Sequence, residues 1–306
     1  MKIVFMGTPD FAVPILKALH EKYEVCLVVS QPNRIKKKGV FLDTPVAALA
    51  KELNIPLFQP DKISSDYQMI LDSKADMLVT AAYGQFVPSR ILKSFKKCIN
   101  VHGSLLPFHR GGAPIQRCLI NGDEKTGVTI MEMTKKLDAG KMYCSKEYII
   151  LPEDNNASLF NKLSIIGRDL LMENIEDIYN DINLGIPQDE ELATYSPNID
   201  PSEEEIHLNC NTKDIINKIR GLSYEPGAFL NVNGVKIKIF KASEVSADKD
   251  LVPGYTICTK KKIILKTLDS AIELLEVLMP GKKIMSGKDF SNGQKIFVEG
   301  NIVSEY

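Results

Sequence analysis

Four short apolar runs in the first third of the chain, each closed by a turn, restrict what it can fold into. They are Ile3 to Met6, Val25 to Val29, Ala75 to Ala82 and Ile99 to His102. Continuous apolar runs rich in β-branched residues suit strands buried on both faces. The stretches between them read as helices. Pro14 belongs in the first turn of a helix running through Lys17 to His20, because proline loses no bond there. Pro45 to Leu53 is helical, and Pro56-Leu57-Phe58 is a short strand. Strand-helix alternation of this kind predicts a parallel sheet covered on both sides. Such sheets bind ligands at the carboxyl ends of their strands, which is where Gly7, Tyr83-Gly84 and His102-Gly103 fall.

Further along, Val128 to Met133 and Lys146 to Leu151 read as strands separated by LDAGKM, and Ala157 to Asn180 as a long amphipathic helix. Gly185 to Pro201 has three prolines and no periodicity, so it reads as a linker. After a short helix from Asp214 to Leu222 the pattern turns to strands. Phe229 to Lys241 is a hairpin around Asn233-Gly234, and Tyr255 to Cys258, Lys262 to Leu265 and Glu273 to Leu278 continue the series. The expectation is an α/β chain. A Rossmann-like, mostly parallel sheet domain spans residues 1–184, a linker 185–203, and a small OB-like β-barrel domain 204–306. A length of 306 residues suits two domains.

No apolar run approaches the roughly 18 residues of a membrane span, and MKIVFMGTPDF is too short and too weakly basic for a signal peptide. A cytoplasmic location is therefore expected, with no membrane partner. The six cysteines are scattered and read as reduced, mostly buried thiols. The four histidines lack metal-ligand spacing, so no metal is expected. A net charge of −1 argues against a general nucleic-acid coat. It leaves room for a local patch: Arg34, Lys36, Lys37 and Lys38 place four positive charges in five positions. Lysines also cluster at 260–262 and at Lys282, Lys283 and Lys288.

The first strand-helix turn, Gly7-Thr8-Pro9-Asp10-Phe11, is not a dinucleotide fingerprint. Pro9 removes an amide donor and Phe11 would crowd a phosphate, and no P-loop motif occurs elsewhere.

The chemistry concentrates in INVHGSLLPFHRGGAPI, residues 99–115. Asn100 and His102 alternate with apolar neighbours, so in a strand they share a face. An amide beside an imidazole suits polarising a carbonyl and moving a proton. Asp138, in the turn between two later strands, could face His102 and fix its orientation. Cys98 and Ser104 lack an activating setting, which points to direct transfer without a covalent intermediate. Arg110, in R-G-G-A-P, reads as a grip on a carboxylate or phosphate of a substrate.

MGTPDFAVP, AAYGQFVP, INVHGSLLPFHRGGAPI, LDAG and GKKIMSGKDFSNG together resemble the methionyl-tRNA formyltransferase family, within the wider 10-formyltetrahydrofolate-dependent transferases. The likeness covers nearly the whole chain. It implies Asn100, His102 and Asp138 as the catalytic triad. Ser104, Leu105, Leu106 and Pro107 become a folate-contacting turn, with Phe11 and Tyr83 on the folate side. Arg34, Lys36, Lys37, Lys38 and Arg110 become contacts to tRNA or substrate. It further implies 10-formyltetrahydrofolate as co-substrate, charged initiator methionyl-tRNA as acceptor, and a monomer. Asn33 stands where the family usually has Asp, Asn198 where a Lys is common, and the chain has no Trp in Ser223-Tyr224-Glu225-Pro226-Gly227. Alternatives are an amino-sugar-nucleotide N-formyltransferase with the same triad, a hydrolase of the folate, and a non-catalytic RNA-binding protein.

Overall fold

The computed structural model describes residues 1–36, 40–293 and 295–303. The chain divides into two compact units.

The first unit comprises residues 1–114, 125–149 and 160–197. Its strands are β1 (Lys2–Gly7), β2 (Glu24–Val29), β3 (Arg34–Lys36), β4 (Val40–Leu42), β5 (Leu57–Phe58), β6 (Met77–Ala81), β7 (Lys97–His102), β8 (Lys125–Glu132) and β9 (Met142–Ile149). Helices α1 (Val13–Lys22), α2 (Pro45–Glu52), α3 (Gln68–Asp72) and α4 (Ser89–Leu92) follow strands in the first part. The main sheet runs β5-β2-β1-β6-β7-β8-β9. It is parallel from β5 to β7, and β8 and β9 add antiparallel.

The apolar runs explain the parallel part. β6 is buried at every position and β1 at all but its first, and each large aliphatic side chain taken from water contributes about 1.5–3 kcal/mol before entropy is charged. β8 and β9 begin before their apolar runs. The antiparallel ladder from Lys125↔Ile149 to Met131↔Met142 sets their limits, so backbone pairing extends them past what hydrophobicity marks. α2 is capped as its sequence suggests: the Thr44 hydroxyl accepts from the Ala47 amide, with proline in the first turn. Strand order departs from β1 in both directions, so the switch point lies at the carboxyl ends of β1 and β6. β3 and β4 form a separate two-stranded ribbon.

The second unit comprises residues 115–124, 150–159 and 198–306. Its sheet runs β10 (Phe229–Val232), β11 (Val235–Val245), β14 (Ala271–Leu278), β13 (Ile263–Lys266), β12 (Thr256–Cys258), with β15 (Met285–Ser286) on β14. It is antiparallel throughout and curls into a half-barrel consistent with an OB-like domain. Asn233 (φ 52°) and Gly234 (φ 77°) make the β10–β11 turn, the left-handed pair that a tight hairpin needs. Of α5 (Pro114–Asn121) this unit holds residues 115–121, and of α6 (Asn156–Tyr179) only residues 156–159, the rest belonging to the first unit; α7 (Thr212–Leu222) and α8 (Gly287–Gly293) lie wholly within it. Ile215, Ile219 and Leu222 of α7 lie one face apart and enter the barrel core. Its first turn is capped from outside: Asp269 accepts from the Thr212 amide at 2.8 Å and from its hydroxyl at 2.7 Å.

Among the described residues, no helix is long and apolar enough to cross a membrane, and no group of three or more His, Cys, Asp or Glu could hold a metal ion.

Candidate active site

β7 delivers Asn100 and His102 to the carboxyl edge of the first unit's sheet, on one face as period-2 alternation requires. On the neighbouring strand Thr80 pairs with Asn100, and its hydroxyl donates to Asn100 Oδ1 at 2.8 Å. That bond fixes which way the carboxamide faces. Asn100 Nδ2 has no hydrogen-bond partner among the described residues and remains a free donor. Thr80 escaped the sequence reading because a threonine in a buried strand carries no motif.

His102 is 5 % exposed. Its Nε2 lies 3.0 Å from the carbonyl oxygen of His109. A carbonyl can only accept, so Nε2 carries a proton and Nδ1 is the nitrogen available for chemistry. Nδ1 lies 3.9 Å from Asp138 Oδ2, an ion-pair distance longer than a hydrogen bond. The same carboxylate oxygen accepts from the Gly111 amide at 2.9 Å. His109 (φ 60°) and Asp138 (φ 46°) both have left-handed backbone. Non-glycine residues hold that conformation where the surroundings fix it, and such places cluster at functional sites.

The turn after His102 is held from within. Ser104 is fully buried, and its hydroxyl donates to the Phe108 carbonyl at 2.7 Å. Thr129 of β8 donates to the Ser104 carbonyl at 2.7 Å and accepts from the Leu106 amide at 3.1 Å. Leu105 is half-buried, Leu106 and Pro107 buried, and the Leu106-Pro107 peptide is cis. Cys98 is no rival nucleophile: burial pushes its thiol up to about 12.

Three of the expected site residues are buried within the first unit. The Arg110 guanidinium is bonded within the molecule. It is 0 % exposed; its Nε and one Nη donate to Gln188 Oε1 at 3.0 and 2.8 Å, and both Nη atoms reach Glu190 at 3.0 and 3.2 Å. An arginine is buried only when its charge is paired, and here the partner is Glu190. Arg110 and then Lys136 hold the Glu190 carboxyl down at about 2. Phe11 and Tyr83 are core residues, 2 % and 4 % exposed. Phe11 packs edge-on against Phe160 at 5.5 Å. Tyr83 joins the apolar cluster of Val4, Met6 and Leu27, and its buried hydroxyl has no partner among the described residues.

Arg34 and Lys36 lie on the β3 strand, opposite Leu42 and Val40; Lys37 and Lys38 lie outside the described residues. Asn33 donates to Asp43 at 2.6 Å and accepts from Gln59 at 2.8 Å.

The segment read as a linker carries part of the site. Residues 194–196 lie alongside the Arg110 loop as an extended strap. The Arg110 amide donates to the Thr194 carbonyl at 2.8 Å, and the Ser196 amide to the Arg110 carbonyl at 2.7 Å. Gly111 (φ +120°) permits the approach, since a Cβ there would sit 2.6 Å from the Ser196 carbonyl oxygen. Sequence offered one signal only, the polar residues Gln188 and Glu190 in a stretch with no apolar face to bury.

Residues 1–175 match the formyl transferase family, and residues 198–295 match the formyl transferase C-terminal domain. The chain is 44 % identical over 298 residues to a methionyl-tRNA formyltransferase of Lactobacillus acidophilus, covering 95 % of each chain. It is 43 % identical to one of Streptococcus pneumoniae, again over 95 % of each. The fold is also that of WlaRD, a sugar 3N-formyl transferase solved in the presence of dTDP and 5-N-formyl-THF. That match has a TM-score of 0.69 at 18 % identity and covers 92 % of this chain and 99 % of that one. With both halves matched and relatives this similar along nearly their whole length, the chain belongs to the formyl transferase family.

Proposed function

We propose that the protein transfers the formyl group of 10-formyltetrahydrofolate to the α-amine of methionyl initiator tRNA, acting in the cytoplasm as a monomer. The observation that carries this reading is similarity to methionyl-tRNA formyltransferases over 95 % of both chains. Residues 1–184 carry the reacting side chains, 185–203 connect while bracing them, and 204–306 support the tRNA. The basic run Arg34, Lys36, Lys37 and Lys38, which begins on the β3–β4 ribbon, approaches the phosphates of the acceptor stem.

The site fits a formyl donor: an uncommitted amide donor, Asn100 Nδ2, stands on the same strand face as His102. When bound, the co-substrate supplies an activated formyl carbon and a nitrogen that leaves with a proton. Asn100 Nδ2 donates to the formyl oxygen as the amine adds and that oxygen gains charge; Thr80 keeps the amide turned for it. Protonated His102 supplies a second donor from Nδ1, while the His109 carbonyl holds Nε2. Asp138 balances the imidazolium across 3.9 Å and relays the amine's proton through water to the departing folate nitrogen. The turn from Ser104 through Leu105 and Leu106 to Pro107 shapes the folate side.

Formyl transfer from 10-formyltetrahydrofolate, with charged initiator tRNA and an amino-sugar nucleotide offered together, tests the reading. Formyl-methionyl-tRNA as the product is expected. Formylation of the sugar alone would overturn the acceptor, and release of formate without either product would favour the hydrolase.

A further inference from the structure

Every hydrogen-bonding position of the Gln188 carboxamide is used inside the molecule. The side chain is 8 % exposed. Nε2 donates to the carbonyl oxygens of Asp138 at 2.8 Å and Gly140 at 2.7 Å. Oε1 accepts from Nε and one Nη of Arg110 at 3.0 and 2.8 Å. A primary amide offers two donors and two acceptor positions, and here each has a partner. The two carbonyls bracket the turn that sets Asp138 at φ 46°. From the other side, the amide of Gly111, next to Arg110, donates to the Asp138 carboxylate at 2.9 Å. One side chain thus fixes the backbone beneath Asp138 and the loop that holds its carboxylate. Gly140 tightens the turn: a Cβ there would lie 1.9 Å from the Glu132 carbonyl oxygen, so Gln188 bonds a backbone with no room to move that way.

We infer that Gln188 is a positioning residue for formyl transfer: it sets the Asp138 carboxylate opposite Nδ1 of His102 through the Asp138 and Gly140 carbonyls and the Arg110-Gly111 loop. The inference rests on the proposed role of Asp138. Displacing a reacting group by about 1 Å can lower a rate about 100-fold, so the effect belongs in kcat. Neither substrate needs to touch Gln188.

Gln188→Glu is the sharp variant. It keeps the shape and an acceptor for Arg110, but faces the two carbonyls with an oxygen that cannot donate. Single-turnover and steady-state transfer should show kcat down about 10- to 100-fold with both KM values close to wild type. In an Asp138→Asn background the same change should cost nothing further, because both act on one group. Wild-type kcat in Gln188→Glu, with Asp138→Asn inactive, overturns the inference and leaves Asp138 standing. Multiplying losses in the double variant also overturn it, since Gln188 would then support the fold alone. Full activity in Asp138→Asn would sink the reading of Asp138 and this inference with it. Should Gln188→Glu lose the native circular dichroism, Gln188→Met, similar in length and needing no partner, replaces it with the same outcomes.

Discussion

The carboxyl end of β7 and the strap at 188–196 lie on the same site but are built on opposite principles. At β7 the geometry comes from the strand. Alternation puts Asn100 and His102 on one face of a strand paired on both sides. The strap has almost no regular structure beyond a single 3-10 turn at Glu190–Leu192. It is held instead by side chains and stray backbone bonds: Gln188 to Asp138 and Gly140, Glu190 to Arg110, and residues 194–196 to the Arg110 loop. A strand can carry reactive groups because its backbone is already satisfied. An irregular segment must spend its polar groups satisfying itself, and here the partners it uses are the supports of the site.

That contrast can be broken at several points. The largest effect is expected at the strand end. Asn100→Ala and His102→Ala each remove a donor from the oxygen that gains charge, so kcat should fall about 100- to 1000-fold while thermal unfolding changes little. Near-normal transfer by either variant would mean that the strand does not do the chemistry.

Gly111→Ala strikes the strap. With φ at +120° and the Ser196 carbonyl 2.6 Å from the new Cβ, the loop and strap must part. A stability loss of about 1–3 kcal/mol is expected, read by thermal denaturation and accompanied by lower activity. An unaffected melting temperature would show that the strap contact is dispensable.

Thr80→Val sharpens the comparison within the strand. It keeps the buried volume but releases Asn100 Oδ1. A kcat loss of about 3- to 10-fold is expected, the worth of one hydrogen bond at ~0.5–1.5 kcal/mol. No loss would mean that the amide is oriented by something other than Thr80.

The smallest effect concerns acid. Glu190 sits at about 2, below its ordinary 4.5, because Arg110 and then Lys136 stabilise its charge. A depressed folded-state value means that the pairing contributes fully above about pH 4.5 and is lost as pH falls toward 2. Glu190→Gln should therefore lower the melting temperature modestly at pH 7, since Glu190 is 53 % exposed and screened. The gap from wild type should close between pH 4.5 and 2. A gap that is constant with pH would show that the pair's charge is not what holds the strap.

The sequence was most legible where local rules suffice. Continuous apolar runs marked β1, β2, β6 and β7, and Asn233-Gly234 marked the β10–β11 turn. The β3–β4 ribbon and the short helices α3, α4 and α8 left no periodic trace, being too short for a pattern to repeat. The burial of Arg110 could not be read from sequence for a physical reason. A guanidinium in a glycine-rich loop looks exposed until Gln188 and Glu190, 78 and 80 residues away, arrive to bury it. The burial of Phe11 and Tyr83 was likewise hidden, since a position in the sequence does not say which way an aromatic ring turns.

By itself, then, the sequence determined the sheet of the first unit, the face shared by Asn100 and His102, and the family motifs, because period and turn chemistry are local. Only the tertiary structure decided that Thr80 orients Asn100, that Nε2 of His102 is committed to the His109 carbonyl, and that the strap holds Asp138. Each of these is a hydrogen bond between segments distant in sequence or folded back on themselves. Its geometry exists only once the sheet has brought them together.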